Sequence, residues 1–343
     1  MLIKSFLPAI LFLAFTLISL PSCGQQKAKA VCIAFYNLEN LFDTIDDPTT
    51  NDSEFTPLGS NLWSWERYQA KLSNMSKVIS QIGDEFLKGG PTLIGLSEIE
   101  NRGVLEDLIR TEALKSLGYA IAHFDSPDRR GVDVGLLYKS REFTILNSVS
   151  IPMDMPGQPD FKTRDQLVVS GLIDGDTISV IVNHWPSRGN DEPFRLAAAT
   201  TTRKIADSLF TRNADANILV MGDLNDDPVD VSVKEILGAQ GKVSKVKLKG
   251  LFNPMWDMYK NGIGSLAYKD SWNLFDQIIV SEPLIRENSR TWTLYKTRVF
   301  NRPFLIQPDG QYSGYPYRTF AGGAYAGGYS DHLPVFVILT KKK

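Results

Sequence analysis

The chain has 343 residues, and its 37 Lys and Arg against 39 Asp and Glu give a formal net charge of −2. This balance excludes a protein that its overall charge holds on nucleic acid, so any contact with a polyanion has to come from local cations. Only two cysteines occur, Cys23 and Cys32, which excludes a disulfide framework. The length suits one large α/β domain behind an N-terminal segment.

The N-terminal segment resembles a bacterial lipoprotein signal. Lys4 precedes an apolar run over 6–20, and Pro21, Ser22 and Cys23 follow. A membrane span needs about 20 apolar residues, so this shorter run indicates a signal peptide over 1–22. Cys23 would be the lipidated first residue of the mature chain. It would begin a tether over 23–30, and one folded domain would follow over 31–343. Pro21 departs from the usual pattern, and an ordinary signal peptide with an incidental cysteine is the alternative.

Lipidation at Cys23 would make this an exported protein that is anchored to a bacterial membrane. The residues just after Cys23 include no acid, which favours the periplasmic face and leaves the cell surface open. No segment of the sequence indicates a protein partner.

Short apolar runs rich in β-branched residues predict nine strands in the folded domain. In chain order they cover 31–36, 92–97, 134–138, 143–151, 166–173, 177–183, 218–221, 277–280 and 335–339. Cys32 falls within the first of them, and we expect it to be a buried small hydrophobic residue.

Three segments have helical periodicity, over 65–87, 104–117 and 194–210. Strands outnumber helices, and hairpin-length loops such as 174–176 join several neighbours. We therefore expect an α/β fold with two mixed, largely antiparallel sheets packed face to face and helices outside, rather than a doubly wound parallel sheet.

Polar residues cluster where the predicted strands end. Such a set of carboxylates, amides and imidazoles at one mouth would hold a hard, oxygen-seeking cation and a phosphate. The residues concerned are Asn37 and Glu39, Glu98, Asn183 and His184, Asp223 and Asn225, Asp276, and Asp331 and His332.

Six motifs in this order, including Gly222-Asp223-Leu224-Asn225 and Ser330-Asp331-His332-Leu333-Pro334-Val335, resemble those of the endonuclease/exonuclease/phosphatase (DNase I-like) family. The resemblance covers 35–337, nearly the whole folded domain. It implies a four-layer α/β/β/α sandwich with an Mg²⁺- or Mn²⁺-dependent hydrolase site for phosphate esters. It also implies that Glu98, Asn37 and Asp331 lie at the metal, with a weaker case for Glu39.

The candidate acid-base groups are Asp223, Asn225, Asp276 and His332. Asp223 and Asn225 lie two positions apart after a strand, so one carboxylate could activate water while one amide donates to the phosphate. An Asx turn that caps the next loop is the alternative for this pair. The resemblance implies that His332 pairs with Asp276 and flanks the scissile phosphate.

His184 distinguishes branches of the family, because an Asn-His pair here matches the deoxyribonuclease and sphingomyelinase branches. In those branches this imidazole donates to a phosphate oxygen or to the leaving group. We expect Asp133 to be its partner acid, with a surface turn residue as the alternative. His123 lies in no motif, so we expect it to be structural.

Substrate contacts are expected from Arg130 or Arg129, Arg188 and Trp272, since guanidinium groups bind phosphate in a bidentate manner. The segment 242–272 interleaves lysines with aromatic residues, as a surface that binds a nucleic-acid strand would. Lysines on an exposed strand edge are the plainer interpretation. The Gly- and Tyr-rich stretch 312–329 is expected to be an irregular loop at the rim.

Three functions remain open because a fold does not select a substrate. The first is a metal-dependent nuclease or phosphodiesterase that acts on DNA or RNA outside the cytoplasm. The second is a sphingomyelinase-like or inositol-phosphatase-like enzyme, and the third is a binding lipoprotein on an inactive fold. The full set of candidate catalytic groups argues against the third.

Overall fold

The computed structural model describes residues 28–286 and 290–342. The predicted signal peptide and Cys23 lie outside the described residues. The first strand begins at Lys29, so the predicted domain start at residue 31 falls inside a strand. Within the described ranges, no helix is long and apolar enough to cross a membrane.

The fold consists mainly of strands, with few helices. The helices are α1 (Trp65–Ile79), α2 (Arg102–Arg110), α3 (Glu192–Arg212) and α4 (Trp256–Lys260). The strands are β1 (Lys29–Leu41), β2 (Leu93–Ile99), β3 (Tyr119–His123), β4 (Asp133–Lys139), β5 (Thr144–Ile151), β6 (Gln166–Ile173), β7 (Asp176–His184), β8 (Asn217–Asp223), β9 (Ala239–Gln240), β10 (Leu251–Phe252), β11 (Leu266–Tyr268), β12 (Ser271–Asn273), β13 (Asp276–Ser281), β14 (Thr293–Val299), β15 (Phe320–Ala321), β16 (Ala324–Tyr325) and β17 (Val335–Lys341).

Two large mixed sheets contain most of these strands. The first has six strands in the order β14-β17-β1-β2-β4-β3, and the second has seven in the order β5-β6-β7-β8-β13-β10-β9. Within the first sheet β1 and β2 run parallel, and within the second β7 and β8 do. The other long strands pair antiparallel. The prediction of two mixed, largely antiparallel sheets is confirmed.

The two sheets pack face to face over a shared apolar core. Leu93 and Val134 of the first sheet and Val180 and Met221 of the second belong to one buried cluster. The sheets approach closely at Gly95, where a Cβ atom would lie 2.7 Å from Met221 Sδ. Further clusters pack α1 and α2 on the outside of the first sheet and α3 on the outside of the second. This is the predicted four-layer α/β/β/α order of a DNase I-like fold.

Two helices end earlier than the sequence predicted. The α1 helix, capped by Ser64, stops at Ile79, and the chain then turns through Gly83, which has φ +78°. A Cβ atom there would lie 2.7 Å from the buried thiol of Cys32, so this stretch packs too closely on β1 for a regular helix. The predicted helix 104–117 is α2, which ends before the extended residue Thr111.

The strand ends that carry the candidate residues meet at one edge of the sandwich. In the second sheet Asp223 pairs in register with both His184 and Asp276. In the first sheet Asn37 lies beside Ser97, and Phe35 lies beside Val335 at the start of β17. We call this edge the mouth.

Candidate active site

Asp223 lies at the centre of the mouth and connects the two sheets. Its Oδ2 accepts a hydrogen bond of 3.1 Å from Asn37 Nδ2, which comes from the first sheet. The same oxygen is 3.8 Å from Nε2 of both His184 and His332. The fold therefore brings together side chains that lie far apart in the sequence.

Burial raises the pKa of Asp223 to about 7, and the neighbouring charge of Asp276 adds to this while that of His332 opposes it. A carboxyl group with a pKa near neutrality is suited to accept a proton from water. Its Oδ1 accepts from the backbone N–H of Asn225 at 3.0 Å, so the Asx turn considered from the sequence is present. That turn fixes the carboxylate at the mouth, because Asn225 Nδ2 in turn donates to the Trp185 carbonyl at 2.9 Å.

His332 is buried and forms a close pair with Asp276. Its Nδ1 is 2.6 Å from Asp276 Oδ2, so its Nε2 points toward Asp223. Burial disfavours the imidazolium, but the charges of Asp276 and Asp223 outweigh it and raise the pKa of His332 well above its usual value. The imidazole is therefore charged at neutral pH and can act as a proton donor.

His184 has the opposite electrostatic environment. Its Nε2 is 3.8 Å from Glu98 Oε1, yet burial and then the charges of Arg164 and Arg130 hold the pKa of His184 well below its usual value. The ring is therefore neutral and can donate one hydrogen bond from one nitrogen.

The expectation that Asp133 is the partner of His184 is wrong. Asp133 Oδ2 is 2.9 Å from His123 Nε2, and Asp133 Oδ1 accepts from the Ser126 backbone at 2.9 Å. The reason is β3, a strand that the sequence did not predict, which places His123 beside the start of β4. Within the described part of the chain, His184 Nδ1 has no hydrogen-bond partner.

Arg164 is a site residue that no motif pointed to. The buried guanidinium donates to the carbonyl oxygens of His184 at 3.2 Å and Trp185 at 2.7 Å. It also donates to Asp128 Oδ2 at 2.9 Å, on the loop that precedes β4. Arg164 therefore joins loops of both sheets and fixes the end of β7.

The three expected metal residues line the same mouth. Glu98 lies at the end of β2 with φ +55°, and its Oε2 accepts from the Asn40 backbone at 3.0 Å. Arg130 Nη2 is 3.3 Å from Glu98 Oε1, so this guanidinium lies beside one of the expected metal ligands. Asp331 Oδ1 is 3.9 Å from His332 Nε2, so this carboxylate lies beside the His332 imidazole at the mouth.

The donor set suits a hard divalent cation. Glu98, Asp223 and Asp331 supply carboxylate oxygens around the two imidazoles, and Asn37 supplies an amide. Oxygen ligands of this kind are what Mg²⁺ and Mn²⁺ prefer. Among the described residues, one closely spaced group of potential ligands is Asp223, Asp276 and His332, and another is His123, Asp125 and Asp133.

A cavity of about 410 Å³ opens beside Asp331. Arg188 and Arg318 both line it, and Arg318 Nη2 donates to Asp331 Oδ2 at 2.6 Å. The Arg188 guanidinium lies 4.4 Å from the centre of the Phe275 ring, which also lines the cavity. We call this space the arginine cavity.

Trp272, which the sequence suggested as a substrate contact, packs against the apolar cluster on the α1 side. The aromatic side chain of the same hairpin that lines the arginine cavity is Tyr268, which is exposed. Sequence reasoning also missed Arg318, although it had placed the surrounding loop at the rim.

Comparison with known proteins decides the family. The model of the endonuclease/exonuclease/phosphatase family matches residues 32–341. The chain belongs to this family. Membership indicates a hydrolase of phosphate esters, which agrees with the expectation from the motifs.

Several solved structures share the fold at low sequence identity. D. rerio TDP2, solved with a single strand DNA product, is 14% identical with a TM-score of 0.54, over 90% of this chain and 98% of that one. A family member from Bacteroides thetaiotaomicron is 16% identical with a TM-score of 0.55, and the match covers 92% of this chain and 96% of that one. A mannosyl-6-phosphatase from the same organism is 17% identical with a TM-score of 0.54, and the match covers 90% of this chain and 99% of that one. No curated protein is significantly similar in sequence.

Proposed function

We propose that this family member is an extracytoplasmic, lipid-anchored nuclease or phosphodiesterase that hydrolyses nucleic-acid phosphodiesters with Mg²⁺ or Mn²⁺. The observation that carries the proposal is the position of Asp223 between one charged and one neutral imidazole. Such a group can accept one proton and donate another around a phosphate, which phosphodiester hydrolysis requires.

Each residue has a distinct part in this scheme. Glu98, Asn37 and Asp331 would hold the metal ion, which supplies positive charge against the phosphate oxygens. Asp223 accepts the proton of the attacking water, since its pKa is about 7. His332 Nε2 donates a proton to the leaving oxygen, and its pair with Asp276 keeps it charged.

The remaining polar groups position the phosphate. The neutral His184 donates a hydrogen bond to a phosphate oxygen, and Asn225 fixes the loop that carries Asp223. Arg130 lies against Glu98 and places a guanidinium where a phosphate oxygen would approach.

Two observations favour a nucleic acid as the substrate. The arginine cavity presents the guanidinium groups of Arg188 and Arg318 together with the exposed ring of Tyr268, and bases stack on such groups. D. rerio TDP2, which shares the fold, was solved with a single strand DNA product.

A sugar phosphatase is the second candidate. The arginine cavity directly borders Asp331 and is large enough for a sugar, and a mannosyl-6-phosphatase shares the fold. This candidate needs no contact beyond the cavity, whereas a nucleic acid would extend past it.

The test is a panel assay with the full chain and Mg²⁺ or Mn²⁺. The substrates are single-stranded DNA, RNA, bis-p-nitrophenyl phosphate, sphingomyelin, inositol phosphates and mannose 6-phosphate. We expect cleavage of the first three and a loss of about 100-fold to 10,000-fold in kcat/KM for both His332→Ala and His184→Ala. The double substitution should cost far less than the product of the two losses. Turnover of the sugar phosphate alone would refute the nuclease proposal.

A further inference from the structure

A small basic pocket lies at the outer edge of the second sheet, beside β9. Its volume is about 110 Å³, and Lys234, Lys242, Lys245 and Trp256 line it. We call it the lysine pocket. Lys234 contacts the carboxylate of Glu235 at 3.3 Å, whereas no ion pair is found for Lys242 or Lys245 among the described residues.

The surrounding segment is basic although the chain as a whole is slightly acidic. Residues 241–250 contain four lysines and no acid, whereas the net charge of the chain is −2. Charge of one sign that is confined to one surface attracts a ligand of the opposite sign locally. The lysine pocket is thus suited to bind an anion. The local lysines can attract it even though the chain as a whole has a slight negative charge.

Trp256 gives this pocket an aromatic wall. A Cβ atom on Gly241 would lie 2.3 Å from two atoms of the indole ring, so the ring packs directly on the Gly241 backbone. Any larger residue at that position would displace it. An ammonium group beside an indole is the combination that contacts a phosphate and its neighbouring base in single-stranded nucleic acid.

Asn253, just before the α4 helix, connects the lysine pocket to the active site. Trp256 begins this helix. The Asn253 backbone N–H donates to the carbonyl of Gln240, which lines the lysine pocket together with Trp256, at 2.9 Å. Asn253 Nδ2 donates to Gln277 Oε1 at 2.7 Å, and Gln277 directly follows Asp276 of the active site.

We propose that the lysine pocket is a second phosphate-binding subsite, for a single-stranded nucleic acid that extends from the active site across α4. This inference rests on the proposed nuclease function and names a contact that a small phosphate ester would not reach. An anionic membrane is the other polyanion to consider, since Val243 and Leu248 are exposed nearby. The concave shape and the indole wall favour the strand, because a flat lipid surface would not enter the pocket.

The first experiment measures binding without turnover. The Kd of a labelled 15-nucleotide single strand is measured by fluorescence anisotropy at NaCl concentrations from 50 to 300 mM. To prevent cleavage, the measurement uses either the His332→Ala protein or the wild type in EDTA, and the further substitutions are made in both. Substitution of Lys242→Gln together with Lys245→Gln should raise Kd about 10-fold and reduce the slope of log K against log salt by about 1.4, since each phosphate contact contributes about 0.7. The matched control, Lys88→Gln with Lys342→Gln, removes the same charge from exposed positions elsewhere and should change neither value.

The second experiment measures turnover in the active protein. The lysine double substitution should raise KM for the oligonucleotide about 10-fold and leave kcat/KM for bis-p-nitrophenyl phosphate unchanged. Gly241→Ala, which displaces the indole without a change of charge, should raise KM for the oligonucleotide and leave the salt slope unchanged.

Unchanged or undetectable binding of the strand, or an equal effect of the control pair, would overturn the subsite. A loss of binding to phosphatidylglycerol vesicles with unchanged binding of the strand would also overturn it and assign the surface to the membrane. If the wild type binds the strand through these lysines but cleaves no nucleic acid, the proposed function fails while the subsite stands.

Discussion

The His332 imidazole is buried and yet charged, because the carboxylates of Asp276 and Asp223 together outweigh the cost of burial. A proton donor with a raised pKa is active below that pKa and loses its proton as the pH rises through it. The alkaline limb of the kcat/KM profile therefore reports this group.

Asp276→Asn should move that alkaline limb to lower pH by at least about one unit, since it removes the charge that raises the pKa of His332. The measurement is a pH profile of bis-p-nitrophenyl phosphate hydrolysis at saturating Mg²⁺. Asp125→Asn, on an exposed side chain near His123, is the matched control and should leave the profile in place. An alkaline limb that does not move would show that another group donates the proton.

Glu98 is the residue whose substitution tests the metal. Glu98→Gln replaces an anionic oxygen ligand by a neutral amide of the same shape, so we expect at least about a 100-fold loss of activity at ordinary Mg²⁺ concentrations. Binding of Mg²⁺ to the folded state should also raise the Tm of the wild type, and this rise should be much smaller in the variant. Glu106→Gln, on the exposed face of α2, is the control. Full turnover of the wild type in EDTA would exclude the metal.

At the scale of single residues, the sequence located the groups that lie directly at strand ends. Asp223, Asp276 and His332 follow this pattern, and the fold brings them together. The partner of Asp133 could not be inferred, because it depends on the pairing of β3 with β4, which sequence spacing does not reveal. Arg164 was missed because two of its three hydrogen-bond partners are backbone carbonyl groups, which a sequence motif does not show.

At the scale of elements, α1 holds the Gly- and Tyr-rich loop against the mouth. Arg67, Lys71 and Asn74 lie on one face of the helix, since they are separated by four and three residues. Asn74 Nδ2 donates to the carbonyl groups of Gly327 and Gly328 at 3.2 and 2.8 Å. The predicted rim loop is thus tied to a helix, and it carries Arg318 to Asp331.

Lys71 is the buried member of this face. Its Nζ donates to Thr319 Oγ1 and to the Tyr329 carbonyl, each at 2.6 Å, and lies 3.9 Å from Glu39 Oε2. Lys71→Met would leave the buried Glu39 carboxylate without this cation, and breaking a buried pair costs about 3–5 kcal/mol.

We therefore expect Lys71→Met to lower the free energy of unfolding by about 3 kcal/mol in urea titrations, at the low end of that range because Arg318 also contacts Glu39. Lys88→Met, on an exposed side chain, should stay within about 0.5 kcal/mol of the wild type. A Lys71 variant as stable as this control would mean that the buried pair contributes nothing to the fold.

Elements with a strong pattern were predicted, and those with a weak pattern were not. The predicted strand 166–173 corresponds in full to β6, and the prediction 194–210 lies within α3. The missed β3 has only five residues, and β14 has no regular alternation of polar and apolar residues and lies at a sheet edge with little burial. Both take their conformation from pairing with a neighbouring strand, which is a tertiary contact.

At the scale of the whole molecule, the start of the first described strand and the mouth lie at opposite edges of the sandwich. Strand β1 begins at Lys29, pairs there with Lys341, and reaches the mouth at Asn37. At about 3.3 Å per residue, these eight steps place the mouth about 26 Å from the start of the strand. We propose that a lipid on Cys23, six residues before this strand, holds the active site away from the membrane, which suits a substrate dissolved in water better than a lipid of the same membrane.

Cys23→Ala tests the anchor and this orientation together. Without the thiol there is no site for acylation, so the protein should lose its label from radioactive palmitate and leave the membrane fraction. Because the candidate catalytic groups all belong to the folded domain, kcat/KM for an oligonucleotide should stay within about twofold of the wild type, far less than the loss of a catalytic group would cause. Ser22→Ala, beside the cysteine, is the control and should keep both the label and the membrane association. A Cys23 variant that remains labelled and membrane-bound would remove the anchor from the proposal, and one that is released but inactive would show that the active site needs the membrane.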